Sequence, residues 1–214
     1  MDRPQTAARP EVAELEDPRR FACVLRVAHR DLAAFLEARA SAPRGAFMRL
    51  HLGLAGLFGI AVGAAFLGAP GGGWNLARAL LGGTLAAVLL FPLHEALHAA
   101  AYLALGARDL RLRFTLRPLA AYLVAHRFVL TRRALRQVAL APTVVLAPGL
   151  VLVALLAPAL RAGALVALFV HHLGAGGDFA MAGLFEGRGG AGTYTVDDAE
   201  AGETSVYACL EENR

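Results

Sequence analysis

Four long segments of this 214-residue chain are apolar and almost free of charge, and they constrain its fold more than any other feature. These segments, residues 50–77, 79–107, 138–160 and 162–185, each provide the roughly 20 residues that an α-helix needs to cross a hydrocarbon core about 30 Å thick. The chain is also 57% hydrophobic, above the roughly 45–50% that is usual for soluble domains. We therefore predict a mainly α membrane protein with four transmembrane helices, at about residues 50–67, 76–105, 138–160 and 162–185.

The segments that flank these spans complete a three-part organisation. Residues 1–48 are rich in charge and predict a cytosolic N-terminal segment. Within it, apolar side chains at steps of three and four predict an amphipathic helix over residues 20–40, lying on lipid or on the cytosolic end of the bundle. Residues 49–186 form the membrane-embedded domain, and residues 187–214 form an acidic cytosolic tail with short strands near 193–196 and 204–210.

An arginine-rich segment, residues 106–137, separates the second and third spans. Apolar and polar side chains alternate from Leu110 to Arg117 and again from Tyr122 to Leu130, which predicts a short β-hairpin. Arginines accumulate on the cytosolic side of short loops, so the hairpin and both termini are predicted to be cytosolic in a multi-pass protein of the cell membrane. Because topology explains the arginines, we expect membrane lipids as partners and no nucleic acid.

The second span contains the motif His94-Glu95-Ala96-Leu97-His98. On a helix this spacing places two imidazoles one turn apart on one face, with a carboxylate beside the first. A charged side chain at the centre of a bilayer costs at least ~2.5–3.5 kcal/mol, so Glu95 calls for a functional reason. Zinc chemistry supplies one. The alternative is a polar contact that holds transmembrane helices together.

The fourth span offers the third metal ligand, Asp178, which is its one acidic residue. In the predicted topology the second and fourth helices run in the same direction. His94 follows Arg78 by 16 residues and Asp178 follows Arg161 by 17, so at ~1.5 Å per residue both lie about 24–26 Å from the outer surface. Glu95 and Asp178 are therefore predicted to meet. A catalytic zinc commonly takes three protein ligands and leaves a fourth position for water.

Other residues of these spans are candidates for support of the site. His171 precedes Asp178 by two turns, too far to share its metal in a regular helix, so it could contact a ligand or line the path to the metal. The paired glycines could break the helix and change this geometry, which leaves His171 or His172 as an alternative third ligand. Pro92 cannot donate a helix hydrogen bond and predicts a kink just before the motif. A glycine group is expected to bring the fourth helix close to the second, namely Gly174, Gly176 and Gly177.

A four-helix membrane protein with HEALH in its second span and H-x-x-x-x-G-D in its fourth resembles the putative zincin peptidases. These are bacterial membrane proteins of a domain-of-unknown-function family, related in pattern to the site-2 intramembrane proteases. The resemblance covers roughly residues 50–210 and departs from the site-2 pattern in lacking a Leu-Asp-Gly motif. It implies His94 and His98 as zinc ligands, Asp178 as the acidic ligand, Glu95 as the catalytic glutamate and Pro142 as a proline typical of the third helix.

Two functions of different classes follow. In the first, the chain is a zinc-dependent intramembrane metallopeptidase with one zinc, and Glu95 is the general base on a zinc-bound water that attacks a membrane protein or peptide substrate. The hairpin edge would hold the unwound substrate by β-addition. In the second, the chain is a non-catalytic metal-binding or metal-transport protein. A lipid-modifying diiron enzyme would need more His and Glu motifs than this chain has.

Overall fold

The computed structural model describes residues 9–40, 45–67, 72–116, 119–186 and 192–210. Its helices are α1 (Val12–Leu15), α2 (His29–Ala40), α3 (Ala46–Leu67), α4 (Gly72–Leu89), α5 (Phe91–Ala104), α6 (Arg132–Leu156), α7 (Arg161–Gly174) and α8 (Gly176–Ala182). Its strands are β1 (Phe21–Ala28), β2 (Leu110–Leu116), β3 (Leu119–Ala125), β4 (Leu130–Thr131), β5 (Thr193–Asp198) and β6 (Glu203–Cys209). A 3₁₀ turn, Pro158–Leu160, joins α6 to α7.

Three helical segments are long and apolar enough to cross a membrane: α3, the α4–α5 unit and α6. A fourth crossing arises if α7 and α8 form one bent span. Large apolar side chains on the outside of these helices are exposed, for example Ile60 at 72%, Leu81 at 74% and Leu156 at 73%. Such a surface suits lipid rather than water. The predicted helical architecture with three to four candidate spans is therefore confirmed.

Two of the predicted spans have different bounds in the structure. The third was expected at 138–160, but α6 begins earlier, because the Thr131 side chain accepts a hydrogen bond from the Ala134 N–H at 3.2 Å and caps its first turn. The fourth was expected as one helix over 162–185, but it breaks at Ala175, and α7 and α8 meet at an angle of 48°. Glycines at 174, 176 and 177 weaken helix propensity at this point.

A break in the helix lies where Pro92 predicts a kink, within a segment that can still cross a membrane as one span. α4 ends at Leu89 and α5 begins at Phe91, with the proline in its first turn. Pro92 has no N–H to donate to the carbonyl four residues earlier, so the helix can change direction there. The break at Leu90 lies one turn before the HEALH motif, which starts at His94.

The strands form two antiparallel sheets at one end of the helices. The predicted hairpin is confirmed, since β2 pairs with β3 from Leu110↔Ala125 onward. The strands expected near 193–196 and 204–210 are also found, as β5 and β6. They are the central strands of a four-stranded sheet of order β1-β6-β5-β4. A cluster of buried residues, among them Tyr102, Leu135, Phe185 and Val206, packs this sheet onto the helices.

The amphipathic helix predicted over residues 20–40 is wrong in its first part. Residues 21–28 form β1, which pairs with β6 from Phe21↔Cys209 to Ala28↔Glu203, and the helix begins only at His29. The apolar residues at 21, 25 and 28 fit helical steps, but those at 21, 23, 25 and 27 fit a strand equally well. The partner strand lies about 180 residues away, so local periodicity could not choose. α2 itself packs on α8, which favours the bundle rather than the lipid surface.

The close approach expected from the glycines of the fourth span is also corrected. A Cβ at Gly174 would meet nothing within 4 Å, and one at Gly177 would lie 3.8 Å from the Leu36 side chain, an ordinary contact. The second and fourth predicted spans do approach closely, where α4 packs on α7, but the approach lies at a different glycine. A Cβ at Gly83 would lie 2.5 Å from the carbonyl oxygen of Gly163 and 2.6 Å from the Val166 Cβ. The glycines at 174–177 act by breaking the helix rather than by tight packing.

Candidate metal centre

The two histidines of the HEALH motif and Asp178 converge on one point. His94 and His98 lie one turn apart on α5, and their Nε2 atoms are 3.1 Å apart. Asp178 lies in the first turn of α8, beyond the break at Ala175. Its Oδ2 is 3.3 Å from His94 Nε2, and its Oδ1 is 3.4 Å from His98 Nε2. The structure thus brings together the three side chains that sequence spacing placed at similar depth.

These separations fit a tetrahedral zinc ion. With bonds of about 2.0–2.2 Å, neighbouring ligand atoms on a tetrahedron lie about 3.3 Å apart. Each of the three distances is within a few tenths of an ångström of that value. His94, Glu95 and His98 also offer a group of ligand atoms that lie within 4.8 Å of one another. The two Asp178 distances run to different oxygens of one carboxylate, so the separations are compatible with a zinc ion held by the two imidazoles and that carboxylate, with Glu95 beside it.

Buried oxygen atoms without donors support the same fit. Asp178 Oδ2 and Glu95 Oε2 are both buried, and neither accepts a hydrogen bond from the described residues. A buried carboxylate oxygen without a donor is costly unless a cation or a proton is present. A divalent cation between the imidazoles would satisfy Asp178 directly. Glu95 would then face the remaining coordination position, where a water proton could reach it.

The tautomer of His98 is set by its contact with α6. His98 Nδ1 lies 2.9 Å from the backbone carbonyl oxygen of Val138. A carbonyl oxygen only accepts, so Nδ1 must carry the proton and donate it. The lone pair of neutral His98 is therefore on Nε2, the atom that faces Asp178. Metal-ligating histidines commonly have their second nitrogen bonded in this way.

Pro142 explains why the Val138 carbonyl is available. In a regular α-helix the N–H of residue 142 would donate to the carbonyl of residue 138. Pro142 has no N–H, and it is fully buried in the interior of α6. The carbonyl of Val138 therefore turns to His98 for its donor. The proline that family resemblance singled out thus has a physical connection to the motif.

His171 contacts His94 on the side away from Asp178. Its Nε2 lies 3.1 Å from His94 Nδ1, and the two ring centroids are 5.2 Å apart. When His94 Nδ1 donates to His171, the lone pair of His94 is on Nε2, as metal binding requires. His171 therefore lies where the sequence placed it, beside a candidate ligand rather than on the metal. Phe91 covers the His94 ring from the other side, stacked at 6.2 Å.

A second histidine pair was not expected from the sequence. His51 in α3 is only 6% exposed. Its carbonyl accepts a hydrogen bond of 3.0 Å from His172 Nε2, and the two rings lie 4.6 Å apart against Phe179. His172 is thereby held away from the metal centre. This pairing depends on how α3 packs on α7, which local sequence does not encode.

The metal centre opens into a cavity of about 550 Å³. That volume is within the range of about 300–1,000 Å³ that is usual for ligand pockets. One end is formed by the metal centre, and β3 contributes Tyr122, Leu123 and Val124 to the wall. The other end reaches α2 and the four-stranded sheet, where it is lined by His29 and Asp197 among others. The sequence analysis assigned no role to His29 or to Asp197.

Comparisons with known proteins agree with this site. No curated protein and no solved structure matches the chain. A family model does match, and its matched segment runs from the end of α4 through α8, so it contains HEALH, Asp178, His171 and Pro142. The resemblance drawn from the motifs is thereby confirmed: residues 87–185 match the family described as "Putative zincin peptidase".

Proposed function

We propose that this protein is a zinc-dependent intramembrane metallopeptidase that hydrolyses peptide bonds of membrane-associated substrates. The observation that carries the proposal is the triangle of His94 Nε2, His98 Nε2 and the Asp178 carboxylate, with sides of 3.1, 3.3 and 3.4 Å. It lies at one end of a cavity large enough for a peptide segment. The match to the zincin family supports a peptidase over other uses of one zinc.

The chemistry divides between the metal and the chain. A zinc ion held by the triangle would polarise the scissile carbonyl and bring the pKa of a water toward ~7. The chain supplies proton transfer through Glu95, whose buried Oε2 has no hydrogen-bond donor and is free to accept a proton. Glu95 takes the proton of the attacking water and then gives it to the departing amine nitrogen. His171 orients the imidazole of His94, and the Val138 carbonyl orients that of His98.

The substrate would enter along β3. Its residues 122–124 line the cavity that contains Glu95, and β3 pairs with β2 along one edge only. An extended substrate segment could add to the other edge, with backbone hydrogen bonds replacing those of its helix. A peptide bond inside a helix is shielded, so such a strand would expose it to attack.

The proposed location is the cell membrane, with the sheets and both termini on the cytosolic side. The exposed apolar faces of the helices support insertion into lipid. The arginines of residues 106–137, which lie between α5 and α6 and in the first turns of α6, support the orientation, because positively charged segments beside a span stay in the cytosol. Both sheets lie at the same end as this segment.

One observation favours the second candidate, a non-catalytic metal-binding or transport protein. Four histidines follow one another through the helices, from His94 through His171 and His172 to His51. A transport path strings polar residues in this way. Transport would not require Glu95 as a proton acceptor, whereas peptide hydrolysis does.

The experiment that separates the two uses Glu95→Gln in purified, detergent-solubilised protein with a transmembrane peptide as the substrate. The peptidase account expects the variant to retain zinc at the level of the unchanged protein and to lose cleavage by at least a hundredfold. A variant that cleaves as fast as the unchanged protein would contradict the mechanism. Zinc flux into proteoliposomes that does not depend on Glu95 would support transport.

A further inference from the structure

A second polar group lies in the same cavity, at the end away from the metal. We name it the sheet-side cluster: His29 at the start of α2, Tyr122 in β3, Asp197 in β5 and Thr204 in β6. All four line the cavity that contains the metal centre. They come from four elements, of which β5 and β6 are consecutive while α2 and β3 lie far from these and from each other in the chain. None has a role in the proposed hydrolysis.

Asp197 is a buried carboxylate that lacks a cationic partner in the described part of the chain. Its Oδ1 accepts a hydrogen bond of 2.6 Å from the Thr204 hydroxyl, and its side chain is 15% exposed. Burial raises the pKa of Asp197 to about 6, so the group is largely ionised at pH 7. Its recorded ion-pair contact is His29 rather than an arginine. A charge in such a place is unfavourable until a positive group joins it.

His29 adds a second acceptor beside the first. Its Nε2 lies 3.9 Å from Asp197 Oδ1 and has no hydrogen-bond partner, although the residue is only 6% exposed. The backbone carbonyl of Glu203 accepts a hydrogen bond from the same ring, so Nδ1 is the donor. Burial and then the charge of Arg113 lower the pKa of His29, so the ring is neutral at pH 7 and Nε2 presents a lone pair. Asp197 Oδ1 and His29 Nε2 are thus two acceptors 3.9 Å apart, and a group with several N–H donors placed between them could bind both.

The distance between the two ends of the cavity corresponds to a few residues of peptide. His94, His98 and Tyr102 lie on one face of α5 and all line the cavity. From His94 to Tyr102 is about 12 Å along the helix at ~1.5 Å per residue. Tyr102 is close enough to Asp197 for their charges to interact. An extended chain advances ~3.3 Å per residue, so the sheet-side cluster lies about three to four residues from the bond at the metal.

Membrane proteins supply a cation at such a distance. Transmembrane segments are commonly flanked by arginine or lysine on their cytosolic side. A substrate segment bound along β3 would carry one of these side chains toward the sheets. Its guanidinium or ammonium group would provide the donors that Asp197 and His29 lack.

We propose that the sheet-side cluster is a specificity subsite that binds the arginine or lysine side chain flanking a substrate's membrane segment, with Asp197 and His29 Nε2 as its acceptors. The inference rests on the proposed function for the identity of the substrate. It does not depend on Glu95, because it concerns binding rather than hydrolysis.

The test measures binding of two synthetic transmembrane peptides that differ only in one flanking residue, arginine in one and glutamine in the other. Zinc-loaded Glu95→Gln protein in detergent micelles is titrated against each fluorescent peptide. We expect the arginine peptide to bind about tenfold more tightly, the size of one charge-assisted hydrogen bond. Asp197→Asn, which keeps an acceptor for Thr204 but removes the charge, is expected to bind both peptides equally.

Asp198→Asn is the matched control, because Asp198 is adjacent and does not line the cavity. Its carboxylate accepts hydrogen bonds from the backbone of Glu200 and Ala201, which an amide oxygen can replace. This variant is expected to keep the tenfold preference. Equal binding of the two peptides before any change at Asp197 would overturn the proposal, and so would a preference that survives Asp197→Asn.

Cleavage of the same two peptides by the protein with Glu95 intact separates the two proposals. A binding preference without cleavage would leave the subsite standing and contradict the peptidase function. Cleavage of both peptides at equal rates, with equal binding, would leave the peptidase standing and contradict the subsite.

Discussion

Pro142 lies four residues after Val138 in α6, and the Val138 carbonyl that a proline leaves without a helical donor accepts a hydrogen bond of 2.9 Å from His98 Nδ1. A helix defect in one element thus sets the tautomer of a candidate metal ligand in another. Pro142 has no reactive group, but it influences the metal centre through the Val138 carbonyl. It also gives the first prediction.

Pro142→Ala is expected to weaken zinc binding about tenfold. The new N–H competes with His98 for the Val138 carbonyl, and partners of ligating histidines typically contribute 10–100-fold to metal affinity. Competition with a chromogenic chelator measures the change. Pro148→Ala is the matched control, since Pro148 is the other interior proline of α6. Equal effects of the two substitutions would contradict the role of Pro142.

His171→Ala is expected to weaken zinc binding by about 10–100-fold, because His94 loses the acceptor that holds its lone pair on Nε2. The ring lies 3.1 Å from His94 Nδ1 and is not itself placed on the metal. His171→Gln retains an acceptor oxygen and is expected to recover part of the affinity. Isothermal titration with zinc distinguishes these outcomes. An affinity unchanged in His171→Ala would show that the contact has no influence on the ligand.

Gly83→Ala is expected to lower the stability of the protein by about 1–3 kcal/mol, because the added methyl group overlaps the Gly163 backbone and the Val166 side chain. The neighbouring Gly82→Ala is the control, since its Cβ would meet nothing within 4 Å. Alanine has the better helix propensity, so that variant is expected to be neutral or slightly stabilised. Thermal unfolding in detergent measures both. If Gly82→Ala unfolded at a lower temperature than Gly83→Ala, the close contact would not be at Gly83.

Asp197→Asn is expected to stabilise the protein at high pH and not at low pH. Burial raises the pKa of Asp197 from 3.8 to about 6, so the native state holds the proton more tightly than the unfolded chain. The stability contributed by the protonated group is therefore present below about pH 4 and is lost as the pH rises to about 6. Two pKa units correspond to roughly 3 kcal/mol, so asparagine at 197 should raise the unfolding free energy at pH 8 by an amount of that order.

The control for this pH dependence is Asp198→Asn. Hydrogen bonds from the backbone of Ala201 and Glu200 lower the pKa of Asp198, so its contribution has the opposite sign and is lost as the pH falls. Melting curves from pH 4 to pH 8 compare the two variants. If the stability gain of Asp197→Asn were the same at both ends of that range, the raised pKa would be wrong.

Much of the metal centre followed from the sequence because it depends on local spacing. The i, i+4 spacing of His94 and His98 requires only a helix, and the depth of Asp178 requires only two parallel spans of known rise. The break near Pro92 follows from a missing N–H, and the hairpin follows from strict alternation. In each case the feature is determined within one element or between two neighbouring elements.

The remaining features depend on contacts between distant segments. β1 was misassigned because its partner is β6, near the other end of the chain. The contact of His171 with His94 depends on how α7 packs on α4 and α6, and the sheet-side cluster needs four elements at once. Hydrophobic periodicity in a short sequence window does not predict which distant elements pair.

The central claim is that His94, His98 and Asp178 hold one zinc ion, and zinc content measured by mass spectrometry on purified protein tests it most directly. We predict one zinc per chain in the unchanged protein, retention of that zinc in Glu95→Gln, and its loss in both His94→Ala and Asp178→Ala. Protein that binds no zinc when supplied with it, or zinc that remains at one per chain in Asp178→Ala, would contradict the account.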